Sequence, residues 1–127
     1  MKEAEGFKYK KECELILCAA FNVYNLLGYG FLEKVYENAL CIELKRLGLD
    51  CRSQEPIDVT FRDQVVGNYV ADIVVDDKLI LEIKAVNSES RYHDAQLIHY
   101  LKATGKTVGY VLNFGMEEKL YYKRFVN

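Results

Sequence analysis

The chain has 127 residues, half of them apolar, and its 17 basic and 19 acidic side chains leave a net charge of −2. That is enough apolar material for a core of its own, and a single proline with charges of both signs spread throughout excludes a disordered chain. The charge excludes coating of nucleic acid by bulk electrostatics but not a local grip, because an acidic metal site itself lowers the net charge. Met1 to Glu5 is acidic where a secretory signal would be apolar, and no apolar run approaches the roughly 20 residues of a membrane span. A soluble, cytoplasmic protein without membrane contact is expected.

No repeat, linker or low-complexity run divides the sequence, so one domain over residues 1–127 is expected. Tyr9 to Leu27 carries an apolar stripe at Ile16, Ala20, Val23 and Leu27, which predicts a helix, and Gly28-Tyr29-Gly30 ends it. Leu32 to Leu47 predicts a second helix, with Leu32, Val35, Tyr36, Ala39 and Leu47 among its apolar positions and Gly48 beyond it. Strand period then takes over. Ile57, Val59 and Phe61 alternate with polar residues, Arg62-Asp63-Gln64 can turn the chain, and Val65 to Val75 reads as a second strand. Asp76-Asp77 marks another turn before a third strand, Leu79 to Val86.

A helix from Arg91 to Thr104, closed by Gly105, precedes a buried strand at Val108 to Asn113 and a short one at Leu120 to Phe125. This order predicts an α/β fold with a mixed sheet. Its first three strands form an antiparallel meander, and the helix lets the fourth pair in parallel with the third. Cys13, Cys18, Cys41 and Cys51 include no C-x-x-C pair and lie far in sequence from His93 and His99. They are expected to be reduced and to fill the helical core rather than to bind zinc.

Two strands carry charge where apolar strands normally do not. Glu82 and Lys84 sit two apart in Leu79-Ile80-Leu81-Glu82-Ile83-Lys84, on one sheet face, and Asp72 is embedded in Val70-Ala71-Asp72-Ile73-Val74-Val75. Such charges are expensive to bury unless paired or bound to a metal. The hairpin register decides whether they meet. A two-residue turn sets Asp72 opposite Leu81, whereas a three-residue connection, Asp76 to Lys78, sets it opposite Glu82. Spacing alone leaves open a metal-binding acid pair or a structural salt bridge from Lys84.

Asp72 followed by Glu82-x-Lys84 on the next strand resembles the signature of the PD-(D/E)xK phosphodiesterase superfamily, with Ala71 where the proline of its name would stand. Gly30-Phe31-Leu32-Glu33-Lys34-Val35-Tyr36 fits G-x-x-E-x-x-Y, and the chain is similar to the small GxxExxY proteins of that superfamily. The resemblance runs from the first helix to Phe125. It takes in Gly67, Tyr69, His93, Ala95-Gln96-Leu97, Tyr100-Leu101-Lys102, Gly105 and Leu112-Asn113-Phe114-Gly115.

The resemblance implies a restriction-endonuclease-like α/β/α core behind two N-terminal helices, and a nuclease hydrolysing phosphodiester bonds of DNA, with RNA a second candidate. Such hydrolysis needs a cation to neutralise the phosphate and acidify the attacking water. Mg²⁺, with Mn²⁺ as substitute, would be held by Asp72, Glu82, the backbone carbonyl of Ile83 and Glu33. Lys84 would polarise the water or offset charge on the phosphate, and Gln96 and Tyr100, at i and i+4 on one helix face, resemble the Q-x-x-x-Y element of the RecB-like branch.

Each residue also has a plainer role. Glu33 suits a first helical turn through the helix dipole, Tyr100 suits a core edge, Tyr36 suits packing of its helix on the sheet, and His93 and His99 suit a helix surface. The basic residues Lys8, Lys10, Lys11, Arg91, Lys102, Lys106, Lys123 and Arg124 could ring a DNA-binding face or be ordinary solvated charges. The alternatives to a nuclease are a non-catalytic nucleic-acid-binding module and a protein-interaction domain using the ten tyrosines. Nuclease domains this small often pair to cut both strands, so a homodimer is one option that the sequence leaves open.

Overall fold

The computed structural model describes residues 7–88 and 91–127, with the side chains of Arg91 and Tyr92 outside that description. The acidic N-terminal residues 1–5, and Arg91 as a member of a basic rim, therefore lie outside the described residues. Helices α1 (Lys10–Leu27) and α2 (Glu33–Arg46) come first, followed by strands β1 (Cys51–Phe61), β2 (Gln64–Val75) and β3 (Leu79–Lys84). Helix α3 (Arg91–Thr104) leads to β4 (Val108–Asn113) and β5 (Tyr121–Val126). The five strands form one mixed sheet in the order β1-β2-β3-β4-β5. Only β3 and β4 run parallel, joined through α3, and the other pairs are antiparallel. The α/β architecture expected from the sequence is the one observed.

Two apolar cores flank the sheet. On one side Ile16, Ala20, Tyr36, Leu40 and Leu44 from α1 and α2 meet Ile73, Leu81 and Ile83. On the other, Leu97, Tyr100 and Leu101 from α3 cover Val74, Ile80 and Val111. The central strands β3 and β4 are thus covered on both faces, which is why they read as nearly continuous apolar runs.

Three expectations are revised in detail. The buried stripe of α2 is Tyr36, Leu40 and Leu44, whereas Leu32 is 81% exposed and Val35 39%, because Leu32 caps the helix start instead of facing the sheet. Strand β1 begins at Cys51, six residues before Ile57, and tolerates Pro56 because an edge strand can spare an amide. The cysteines are all free, yet they do not all fill the core: Cys13 and Cys51 are buried, Cys41 is half-buried and Cys18 is exposed. Among the described residues, no helix is long and apolar enough to cross a membrane.

The β2–β3 hairpin takes the three-residue connection. Asp76 and Asp77 both adopt left-handed backbone, with φ of 51° and 54°, a conformation that short polar side chains tolerate. The Lys78 amide donates to the Val75 carbonyl at 2.9 Å, and Val75 pairs with Leu79. Asp50 locks the turn from outside, its amide donating to Oδ1 of Asp76 at 2.8 Å and its carbonyl accepting from the Asp76 amide at 2.9 Å.

Candidate metal and active site

The β2–β3 ladder pairs Val75 with Leu79, Val74 with Ile80 and Ile73 with Leu81. At the next step side chains replace backbone carbonyls as acceptors. The Ile83 amide donates to Oδ2 of Asp72 at 2.8 Å, and the Asp72 amide donates to Oε2 of Glu82 at 3.4 Å. The two carboxylates therefore face each other where the strands part, in the register that the three-residue turn dictates.

The parting has a cause in β1 and β2. Ala71 and Ile73 are two apart and should share a sheet face, yet Ile73 belongs to the α1/α2 core and Ala71 to the α3 core. Cys51 and Ile57, six apart on β1, divide in the same way. The side-chain alternation thus switches faces in both strands. On β1 the switch coincides with Gln54, whose φ is 54° and which lies between the pairs Ser53 with Ile73 and Glu55 with Ala71. The residue between Ala71 and Ile73 on β2 is Asp72.

Burial makes the pair electrostatically uncomfortable. Glu82 is 3% exposed and its carboxyl is pushed up to about 8, first by burial and then by the neighbouring Asp72, against relief from the Asp72 amide and Lys84. Asp72 is raised as well, mainly by burial, while the Ile83 amide and Lys84 favour its charged form and Glu37 opposes it. Glu33, in the first turn of α2, is raised by partial desolvation. Lys84 counters that shift, and Asp72 and Glu37 add to it. Lys84 is half-buried and is the cation that all three acids sense.

Two sequence elements far apart in the chain hold this arrangement together. The Tyr36 hydroxyl donates to the Gly28 carbonyl at 2.5 Å and accepts from the Phe31 amide at 3.1 Å, which fixes the loop feeding the Glu33 end of α2. Its ring stacks on Phe114 at 4.8 Å and 11°, and the Phe114 amide donates to the Lys84 carbonyl at 2.8 Å. The G-x-x-E-x-x-Y and Leu112-Asn113-Phe114-Gly115 segments are therefore one mechanical unit beneath the acids. Tyr36 packs, as its plainer role implied.

Buried Asn113 completes the unit. Its Oδ1 accepts from the Val86 amide at 3.1 Å and the Gly115 amide at 2.9 Å, and its Nδ2 donates to the Ser88 carbonyl at 3.3 Å. A Cβ on Gly115 would overlap the backbone of Ala85 and Val86, next to Lys84. Gly115→Ala is expected to destabilise the protein by about 2 kcal/mol, as overpacking against rigid backbone does, measured by urea unfolding. An unchanged midpoint would show that this contact is not tight in solution.

The remaining predicted residues are placed as follows. Gln96 and Tyr100 share one face of α3 and line a groove with Tyr69 and His99, beside the α3 core that includes Ala71. A wider groove of about 430 Å³ runs on from Tyr69, Tyr100 and His99 to Lys102 and Val59, and none of the acids lines it. His93 is half-buried rather than on the helix surface, sharing a small cavity with Lys84, Asn113 and Lys123, and its imidazole is held below its usual range by burial and Lys84. Spacing overlooked Glu37 and Gln54. Glu37 is 3% exposed at the heart of α2, and the Gln54 Nε2 lies 3.1 Å from each of its carboxylate oxygens. The i, i+4 relation of Glu33 to Glu37 was a signal available in the sequence.

Among the described residues, no group of three or more His, Cys, Asp or Glu side chains comes together as a metal cluster. The donor chemistry nonetheless fits a hard divalent cation. Asp72 and Glu82 are held where burial and neighbouring acids disfavour their charged forms, and Mg²⁺ keeps several waters and needs only one or two protein carboxylates. Compared with known proteins, residues 10–125 match the family model of the PD-(D/E)XK nuclease superfamily. No curated protein and no solved structure matches the chain.

Proposed function

Because the chain belongs to the PD-(D/E)XK nuclease superfamily, we propose that it is a divalent-metal-dependent nuclease, with DNA as substrate and Mg²⁺ as the physiological ion. The observation that carries this reading is the Asp72–Glu82 pair facing inward at the point where β2 leaves β3, with Lys84 two residues on. Asp72 and Glu82 are the ligands, joined by the Ile83 carbonyl and by Glu33 across the site. A divalent cation held by these residues would supply the positive charge that phosphodiester hydrolysis needs on the phosphate and on the attacking water.

The residues of the chain then divide the work. Ionised Asp72 and Glu82 fix the cation's place, and their amide partners on opposite strands hold both carboxylates rigid. Lys84 sets a positive charge beside the scissile phosphate, where negative charge grows in the transition state. Gln96 guides the substrate strand along the groove that it lines with Tyr69, with the buried Tyr100 in its lining. Within the superfamily the chain is read as a GxxExxY protein, one cytoplasmic domain over residues 1–127 whose pairing as a homodimer would place two such sites on a duplex.

The test is cleavage of single-stranded, duplex and branched DNA with Mg²⁺ or Mn²⁺, with RNA alongside. Activity that disappears with EDTA and in Asp72→Asn is the expected result. No cleavage of any substrate, together with no calorimetric uptake of Mn²⁺, would sink the enzyme. A second reading, a non-catalytic nucleic-acid-binding or protein-interaction module, draws on the lack of a three-acid cluster among the described residues. The tyrosines favour it less, because Tyr36, Tyr100 and Tyr110 are buried and the exposed Tyr29, Tyr69 and Tyr122 belong to separate segments.

A further inference from the structure

Glu37 is a buried carboxylate outside the metal ligands proposed above, and a buried charge needs partners. One is Lys34, 3.0 Å away on the preceding turn and 59% exposed. The other comes from a different element: Gln54 Nε2 donates to both Glu37 oxygens at 3.1 Å. Gln54 reaches it only because its backbone is left-handed, with φ at 54° in mid-strand, a conformation that side chains other than Asn and Asp rarely adopt. No turn requires that conformation, since β1 continues to pair with β2 on either side, at Ser53 with Ile73 and Glu55 with Ala71. Its effect is to put the Gln54 carboxamide on Glu37, on the α2 face of the sheet, at the level of Asp72, the residue between Ala71 and Ile73 on the paired strand.

We infer that Glu37 and Gln54 are positioning residues for the Asp72 carboxylate: Glu37 grips the Gln54 carboxamide, leaving its second N–H to orient Asp72 toward the metal. Neither touches the reacting atoms. The strained backbone of Gln54 is kept because it delivers this carboxamide, the pattern expected where strain serves a site. The inference rests on the nuclease reading and adds to it a layer behind the ligands, of the kind that commonly sets metal affinity.

A structural role and a positioning role predict different results for Gln54→Gly. Glycine relieves the left-handed strain but strips buried Glu37 of an amide partner, so the metal-free melting temperature should change little, whereas removal of the carboxamide should weaken Mn²⁺ binding about tenfold. Calorimetry with Mn²⁺ and thermal melts on the full chain read both quantities. Glu37→Gln should also weaken Mn²⁺, and the double variant should bind no worse than the weaker single one, because the two residues act in series. Should Gln54→Gly fail to fold, Gln54→Asn carries the comparison, its carboxamide being one methylene too short to span Glu37 and Asp72.

Mn²⁺ affinity unchanged in folded Gln54→Gly, or losses that add in the double variant, would overturn the positioning role while leaving the nuclease intact. A wild-type protein that takes up no Mn²⁺ removes both.

Discussion

Glu82→Gln is expected to make the metal-free protein more stable at pH 8 and above, by about 2 kcal/mol, while removing its affinity for divalent cations. The reason is the burial that raises the Glu82 carboxyl to about 8, reinforced by the facing Asp72. An acid whose folded pKa exceeds its unfolded value binds more protons in the native state, so unfolding free energy falls with rising pH. Its contribution is complete below the unfolded value of 4.5 and is lost as pH rises through about 8. Asp72, raised for the same reason, slopes in the same direction.

Glutamine keeps the size and an acceptor for the Asp72 amide but has no charge to desolvate, so its stability should vary less with pH. Added Mg²⁺ should raise the melting temperature of the wild type above pH 7 and leave Glu82→Gln unmoved, since a cation that binds only the native state stabilises it by mass action. Urea titrations from pH 5 to pH 9, with and without Mg²⁺, make the comparison. A wild type whose stability is flat over that range, together with a less stable glutamine variant, would mean that Glu82 is an ordinary satisfied carboxylate.

Much of this site was written in periodicity and much was not. Glu82 and Lys84 stand out because β3 is buried on both faces, so any charge in it is anomalous, and a period of two puts both on one face. The register between Asp72 and Glu82 was reducible to a choice between two turn lengths. The choice itself lay beyond the sequence, because Asp76-Asp77 suits either connection and only the pairing of Val75 with Leu79 decides.

Cys51 to Pro56 was missed as strand because its alternation breaks at Gln54, and a left-handed glutamine leaves no compositional trace. Glu37 was missed for a related reason. It lies beside Tyr36 on a helix whose apolar positions, Leu32, Val35, Tyr36, Ala39 and Leu47, define no single face, and the buried set, Tyr36, Leu40 and Leu44, turns Glu37 inward as well. The segment Leu112-Asn113-Phe114-Gly115 was visible as a motif without a reason. Its reason is three-dimensional: Asn113 and Gly115 clamp the chain that leaves Lys84, and Phe114 rests on Tyr36.

Lys84→Ala is expected to reduce metal-dependent cleavage a hundredfold or more while leaving Mn²⁺ binding equal or tighter. The opposite signs follow from one ammonium group. Lys84 favours the charged forms of Asp72, Glu82 and Glu33, so removing it raises their mutual repulsion, and a divalent cation gains what the lysine gave up. Cleavage should nevertheless fall, because the charge that builds on the phosphate in the transition state loses a neighbour that no bulk cation can place as well. Without metal the variant should be less stable by about 1–2 kcal/mol, and saturating Mg²⁺ should restore most of the difference. Asp72→Asn supplies the contrast, losing metal affinity and cleavage together, since it removes a ligand rather than a transition-state charge. Single-turnover cleavage beside Mn²⁺ calorimetry separates the two patterns. If Lys84→Ala loses Mn²⁺ and cleavage in equal measure, the lysine belongs to the scaffold of the acid pair and the polarising group must be sought elsewhere, first at His93, which shares a cavity with Lys84.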